Sequence, residues 1–273
     1  MARARKQKIK RGAILFAHNS PKYNYFSMAV YAARRINHYL DLPVTVITDE
    51  ESVAKTDYSF DNIVITTPDK NNKRDWGMWI NKGRYQAYDF SPYDETLLLD
   101  TDYVVNSNKL LKTFDISKDF CCHDKTEYLM QPNLPLEVLS AYSFKTLWAT
   151  AVMFKKTNKT EQIFRCLEMV QKNYDHYANI HGFISGTFRN DYALTLALRL
   201  VNGHMNDPEN IIPWNLLHVG RNTSIYPENS DPLTNKFVVL YDHWNRGKIK
   251  KEYLTIKDID FHVMNKDNFM EII

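Results

Sequence analysis

Leu97, Leu98 and Leu99 run directly into Asp100-Thr101-Asp102 within the stretch ETLLLDTDYVVNSNKLLKTF, Glu95 to Phe114. An uninterrupted apolar run of this kind reads as the end of a strand buried on both faces, the mark of a largely parallel sheet covered by helices. An unpaired carboxylate in such a place costs several kcal/mol, roughly 3 or more. Two carboxylates one residue apart raise that cost, and something in the folded chain has to compensate the charge.

The flanking pattern agrees with such a sheet. GAILFAHN (12–19) predicts a first strand, and after it Phe26, Ala29, Val30, Ala33, Ile36 and Leu40 recur at helical spacing. PVTVITDE (43–50) and NIVITTP (62–68) follow as strands. Strand, helix and strand at this spacing imply parallel pairing. A further helix is expected from about Trp79 to Phe90, stopped by Ser91-Pro92 before the strand that opens at Glu95. The two aspartates therefore fall at the carboxyl end of a central strand, where open α/β sheets bind their ligands.

Beyond them LWATAVMFKK (147–156) predicts another strand, and Ile163, Leu167, Val170 and Tyr174 mark one face of a helix. Another helix opens at Asn190-Asp191, turns Ala193, Leu196, Ala197 and Leu200 inward, and ends at Asn202-Gly203. FVVLYDH (237–243) and IDFHVM (259–264) read as late strands. The expected fold class is α/β, one Rossmann-like domain over 12–273 around a mostly parallel sheet, preceded by a flexible basic tail over 1–11.

That tail carries the charge asymmetry. The net +3 of the chain includes six basic residues and no acid in MARARKQKIKR, which leaves 29 basic against 32 acidic residues in the remainder. Such a tail suits a phosphate backbone, or simply aids solubility as a solvated terminus. Cys121 and Cys122 are adjacent and Cys166 stands apart, a poor framework for disulfides, and CCHD lacks zinc-site spacing. With no apolar run long enough to span a bilayer and no signal-peptide pattern, the sequence predicts a cytoplasmic protein without a membrane partner. If the protein is viral, the compartment is the host cytoplasm.

No GxGxxG follows the first strand and no GxxxxGK[ST] occurs, which excludes the usual dinucleotide and P-loop devices for holding phosphate. If phosphates bind, a metal has to carry more of the task. Residues i and i+2 of an extended segment point the same way, so Asp100 and Asp102 are expected to present two carboxylates on one side of the sheet edge. Two such acids repel unless a divalent cation sits between or beside them. The competing explanation is a turn that Asp caps locally.

The run of apolar strand, DxD, apolar pair, polar turn and helix, preceded by a helix and SPYDE, resembles the GT-A fold nucleotide-sugar glycosyltransferases. The likeness is to the glycogenin and bacterial galactosyltransferase-like group often called family 8. Arg84, Tyr93, Asp100 and Asp102 stand at spacings that match that family's motif. The resemblance implies a DxD that holds Mn²⁺ (or Mg²⁺) against the donor diphosphate, and a histidine near the C-terminus as third ligand. DFHVMNKD supplies His262, with Asn265 where the family has glycine and Lys266 after it. Taken alone, a histidine beside apolar residues is more often a core residue. Two carboxylates, an imidazole and diphosphate oxygens together make an octahedral set suited to these metals.

Asp191 resembles the family's acidic residue near the reacting sugar, and a helix cap competes with that reading. Thr150 and Ala151 replace the family's Asn/Ser-Gly pair, while Trp214 and Asn215 are loose equivalents of a Pro-x-x-Tyr-Asn segment. The implied activity is transfer of a sugar from a nucleotide diphosphate sugar, UDP-linked by the resemblance, to a hydroxyl acceptor with retention at the anomeric carbon. Asp191 and Arg84 are the implied catalytic residues. Arg84, Thr101 and Lys266 would meet the diphosphate, and Ala17, His18, Asn19 and Asp49 the rest of the nucleotide.

A DxD phosphatase is the rival chemistry, but such enzymes place the motif on the first strand. A nucleotide-sugar or nucleic-acid binding protein without catalysis is a second rival. The acceptor is open between a glycan, a protein hydroxyl and DNA. The basic tail, NRGKIKK (245–251) and an Asn-, Lys- and Tyr-rich texture that resembles tailed-phage proteins favour hydroxymethylcytosine in DNA.

Overall fold

The computed structural model describes residues 10–67, 81–116, 118–129, 137–245 and 248–273. The strands among these residues are β1 (Arg11–Phe16), β2 (Val44–Thr48), β3 (Asn62–Ile65), β4 (Glu95–Leu99), β5 (Tyr103–Val104), β6 (Phe120–His123), β7 (Thr126–Tyr128), β8 (Trp148–Lys155), β9 (Leu216–Val219), β10 (Ser224–Pro227), β11 (Lys236–Asn245), β12 (Lys248–Lys257) and β13 (Phe261–Val263). Among the helices α1 (Tyr25–Leu40), α2 (Glu50–Val53), α3 (Ala87–Phe90), α4 (Thr113–Ile116), α5 (Asn158–Lys172), α6 (Tyr174–His181), α7 (Asn190–Val201) and α8 (Lys266–Ile272), α1, α5 and α7 cover the main sheet.

That sheet has six strands in the order β3-β2-β1-β4-β8-β6. Parallel pairing joins β3, β2, β1 and β4, and β8 runs antiparallel between β4 and β6. The mostly parallel α/β architecture expected from the sequence is the one observed. Leu97, Leu98 and Leu99 are 1%, 2% and 1% exposed, so β4 is covered on both faces. Leu97 and Leu99 join Ala13, Leu15, Ala29 and Ala33 on the α1 side. Leu98 joins Ile14, Val152, Ile163 and Leu194 on the side of α5 and α7.

Two boundaries differ from the sequence reading. Arg11 belongs to β1 and pairs with Glu95 at 2.6 Å, so the sheet begins inside the segment assigned to the tail. Residues 1–9 of that tail lie outside the described residues, as do 246–247 of NRGKIKK. The expected helix from Trp79 begins outside them too, and its described part is a 3₁₀ turn (Lys82–Gln86) leading into the single turn of α3. No described helix is long and apolar enough to cross a membrane.

The strand order reverses at β1. The chain steps from β1 to β2 and β3 on one side, then returns to place β4 on the other. The carboxyl ends of β1 and β4 therefore flank a topological switch point, the usual ligand position in such sheets. A second sheet, β5-β13-β9-β7, stands at this edge. Through the pairing of β5 with β13, His262 comes opposite Tyr103, one residue beyond Asp102.

Candidate active site

The two aspartates converge differently from the sequence expectation. Thr101 and Asp102 form a tight turn in which the Tyr103 amide donates to the Asp100 carbonyl at 3.1 Å. A bend, and not the alternation of an extended strand, brings the side chains together. The Asp102 carbonyl accepts from Val263 N at 2.9 Å, which locks this turn to β13. Asp100, Asp102 and His262 each offer a ligand atom within 4.8 Å of the others.

Cations surround this cluster. Arg84 Nη1 donates to Asp100 Oδ1 at 2.5 Å, and its other Nη donates to the Ala149 carbonyl. Lys266 Nζ is paired with Asp102 Oδ2, and His262 Nε2 lies 3.3 Å from the same oxygen. Burial pushes the Asp102 carboxyl up, but Lys266 and His262 outweigh it and hold the group well below the usual carboxylate range. Asp100 is shifted upward by burial, with Arg84 opposing and the Asp102 charge adding to the rise. The charge puzzle of the sequence is thus answered within the protein by one guanidinium and one ammonium.

A cleft of about 210 Å³ opens over these groups, lined by Phe16 from β1, by Arg84, Thr101 and Lys266, and by Asn81 and Asn190. Two carboxylates against one guanidinium and one ammonium nearly balance; a divalent cation would add about +2, a charge suited to a diphosphate. The donor set fits such an ion, since two carboxylates and an imidazole are already gathered on separate elements.

The other candidate residues are distributed as follows. Asp191 does not cap its own helix. Its Oδ1 accepts from Ala149 N at 2.9 Å, which ties α7 to β8 beside the Arg84 contact, and Arg189 lies 3.4 Å from Oδ2. The preceding Asn190 lines the cleft and donates to the Asn81 carbonyl at 3.0 Å. Ala17 is enclosed, its carbonyl accepting from Thr48 Oγ1 at 2.6 Å. His18 Nε2 contacts Thr66 Oγ1 at 3.0 Å. Asn19 accepts from Phe26 N at 3.0 Å at the start of α1, and Asp49 caps α2 through Ser52 N at 2.8 Å. These four do not line the carboxylate cleft.

Tyr93 covers Gly12, where an added Cβ would stand 2.3 Å from its ring, and its hydroxyl accepts from Thr45 at 2.9 Å. That is packing, remote from the cleft. Trp214 packs against the α1-side core, and Asn215 donates to Glu127 at 3.1 Å. Thr150 contributes its carbonyl to the Asp100 amide at 2.9 Å, while Ala151 pairs with Leu99.

His218 has no signal in the sequence beyond being a histidine in an apolar strand. β9 lies beside β13 in register, and His218 Nδ1 meets His262 Nδ1 at 2.9 Å. His218 is fully buried, and burial together with His262 pulls its imidazole down to about 2. The nitrogens share one proton, so the tautomer of one ring sets that of the other.

His123, at the end of β6, is also fully buried, and among the described residues neither ring nitrogen has a hydrogen-bond partner. Burial lowers its pKa from 6.5 to about 4. Between these values the unfolded chain holds the extra proton, so stability falls as pH drops. From pH 7.5 to pH 5 the loss from this group is about 2 kcal/mol. His123→Leu is expected to remove that part of the acid sensitivity, read from denaturant unfolding at the two pH values. An equal acid loss in both proteins would assign the sensitivity to other groups.

No protein-family model matches the chain, and no curated protein matches it significantly. Among solved structures it is similar in fold to the galactosyltransferase LgtC in complex with donor and acceptor sugar analogs, at 11% identity and TM-score 0.45, over 68% of this chain and 70% of that one. The glycosyltransferase GlyE of Streptococcus pneumoniae is matched at 11% identity and TM-score 0.41, over 71% of this chain and 43% of GlyE. The bifunctional IspDF of Campylobacter jejuni is matched at 10% identity and TM-score 0.38, over 68% and 47%. This chain thus spans less than half the length of GlyE. Likenesses this distant leave function to the residues of the cleft.

Proposed function

We propose that the protein is a metal-dependent glycosyltransferase that moves a sugar from a nucleotide diphosphate sugar to a hydroxyl acceptor. The observation that carries this reading is the Asp100, Asp102 and His262 cluster at the β1/β4 crevice, with Arg84 and Lys266 against it. Asp100, Asp102 and His262 would hold Mn²⁺ or Mg²⁺. The ion would supply Lewis-acid stabilisation of the departing diphosphate. Arg84, held by Asp100 and the Ala149 carbonyl, would add charge at the leaving group, and Lys266, exchanging its Asp102 contact, would pair with a phosphate oxygen. Asn190 at the start of α7 lines the cleft and would bound the space left for the sugar, while Asp191 holds the Ala149 amide behind it. Retention of configuration is part of the same proposal.

His218 positions the imidazole in this scheme. Ligation through Nε2 needs the His262 proton on Nδ1, and His218 Nδ1 is the acceptor 2.9 Å away. His218→Phe removes that acceptor and is expected to weaken Mn²⁺ binding about 10- to 100-fold. Calorimetric titration with Mn²⁺ checks this; unchanged affinity would leave His262 orientation to other contacts.

For the acceptor, exposed Lys248, Lys250 and Lys251 on β12, with Tyr253 at 74% exposure, favour a polyanion, and hydroxymethylcytosine in DNA is the acceptor proposed. The test of the whole is calorimetry with UDP, GDP, CDP and ADP, with and without Mn²⁺, followed by transfer assays on hydroxymethylated DNA and on glycans. Metal-dependent binding of one diphosphate is the expected result. Absence of nucleotide binding under every condition sinks the transferase reading, and transfer to glycan alone sinks the DNA acceptor.

A further inference from the structure

Nine residues along α7 from Asn190, a rise of about 13 Å at roughly 1.5 Å per residue, Arg199 lines a second cavity. This cavity has a volume of about 790 Å³ and is lined by Arg199, Lys145, Phe144, His204, Asp124 and Asp207 among others. It is larger than the carboxylate cleft, and none of the residues assigned above to donor or metal lines it.

Its distinguishing feature is Arg199. The residue is 8% exposed, its Nε is buried without a hydrogen-bond partner, and no carboxylate pairs with it among the described residues. The two acids of the cavity are already taken: Asp124 pairs with Lys145 at 2.8 Å and Asp207 with Lys159 at 3.0 Å. The guanidinium lies 5.0 Å from the Phe144 ring, which stacks on His204 at 5.9 Å. Arg35 provides the contrast within the same protein. It is fully buried and likewise lacks an acid, but it donates to the carbonyls of Val105, Pro232 and Thr234 and to Asn106. Arg35 is a satisfied structural cation; Arg199 lines open volume, and among the described residues no acceptor meets its Nε.

Buried charge is retained where something neutralises it. A planar guanidinium fork matches the oxygens of a phosphate or carboxylate. We propose that the Arg199 cavity is an oxyanion-binding site, separate from the donor cleft, that takes the phosphate or carboxylate group of a small ligand. The proposal stands whether or not the cleft transfers a sugar.

The test is made on the full chain without added metal. Inorganic phosphate, a phosphate monoester and acetate are titrated while the Arg199 Nε–H resonance, assigned by its loss in Arg199→Met, is followed by NMR, and binding is measured in parallel by calorimetry. Saturable shifts of that resonance are expected, with binding at least tenfold weaker in Arg199→Met and retained in Lys266→Met, which disables the cleft and leaves this cavity intact. The phosphate and acetate arms tell the two chemistries apart. An Arg199 resonance unmoved by all three anions overturns the proposal, as does binding that survives Arg199→Met and is lost in Lys266→Met. Should Arg199→Met fail to fold, the resonance is assigned by selective labelling and the wild-type titration decides.

Discussion

If the cleft is the proposed metal site, Asp102→Ala is expected to lose metal-dependent nucleotide binding and about 10³-fold or more of any transfer rate. At about 1.4 kcal/mol per decade, that is the several kcal/mol expected when a Lewis acid loses a ligand at the charge-bearing step. Asp102 is singled out over Asp100 because it is 4% exposed and meets both His262 and Lys266. Its removal strips the cluster of its shared anion. The same change removes the acid paired with the half-buried Lys266 ammonium, so some stability is lost with it. Two measurements separate these effects. Unfolding of the metal-free protein reports the ion pair, and the rise in Tm on adding Mn²⁺ with a nucleoside diphosphate reports the site. Asp102→Asn, which keeps size and an acceptor for Lys266, should restore much of the first and none of the second. If the Mn²⁺-dependent rise persists in either variant, Asp102 is a structural anion and the cleft is not a metal site.

Arg35→Met unfolds at a midpoint about 10 °C below the wild type. Removing a fully buried, fully bonded cation strands the carbonyls of Val105, Pro232 and Thr234 together with Asn106, at a cost of about 3–5 kcal/mol. For a chain of this size each kcal/mol moves the midpoint by about 2–4 °C. The consequence extends to the cleft. Asn106 Nδ2 donates to the Ile259 carbonyl at 2.8 Å, and its amide donates to Asp260 at 2.7 Å. Those two residues lead into β13 and His262. The variant should therefore also bind Mn²⁺ more weakly while every proposed ligand is present. A midpoint within 2 °C of wild type, or an unchanged metal affinity, would show that the 259–260 segment is held without Arg35.

Much of the main sheet was legible because its information is local. The apolar run at Leu97–Leu99, the helical spacing from Phe26 to Leu40 and the stop at Ser91-Pro92 each act within one element and its ends, where side-chain period and backbone restriction decide the outcome. The candidate cleft was legible to the same depth: two acids at a central strand end require a counter-charge wherever that strand is placed.

The identity of that counter-charge was not local. Lys266 and His262 reach Asp102 from more than 150 residues away, because a two-residue strand after the turn pairs with β13. His218 joins them only because β9 lies beside β13 in one register, and a one-residue slip would turn its side chain to the other face. Arg35, next to Arg34 in a helix, carries no sequence mark of burial; it is enclosed because the Pro232–Thr234 loop and Asn106 close over that face of α1. Asp191 leaves the cleft for a similar reason, since the Ala149 amide of antiparallel β8 binds the aspartate, and its neighbour Asn190 stands on the cleft wall. The sequence by itself determined the elements and the need for compensation. Which groups compensate was decided by strand pairing and loop closure between distant segments, whose register depends on contacts that no local period encodes.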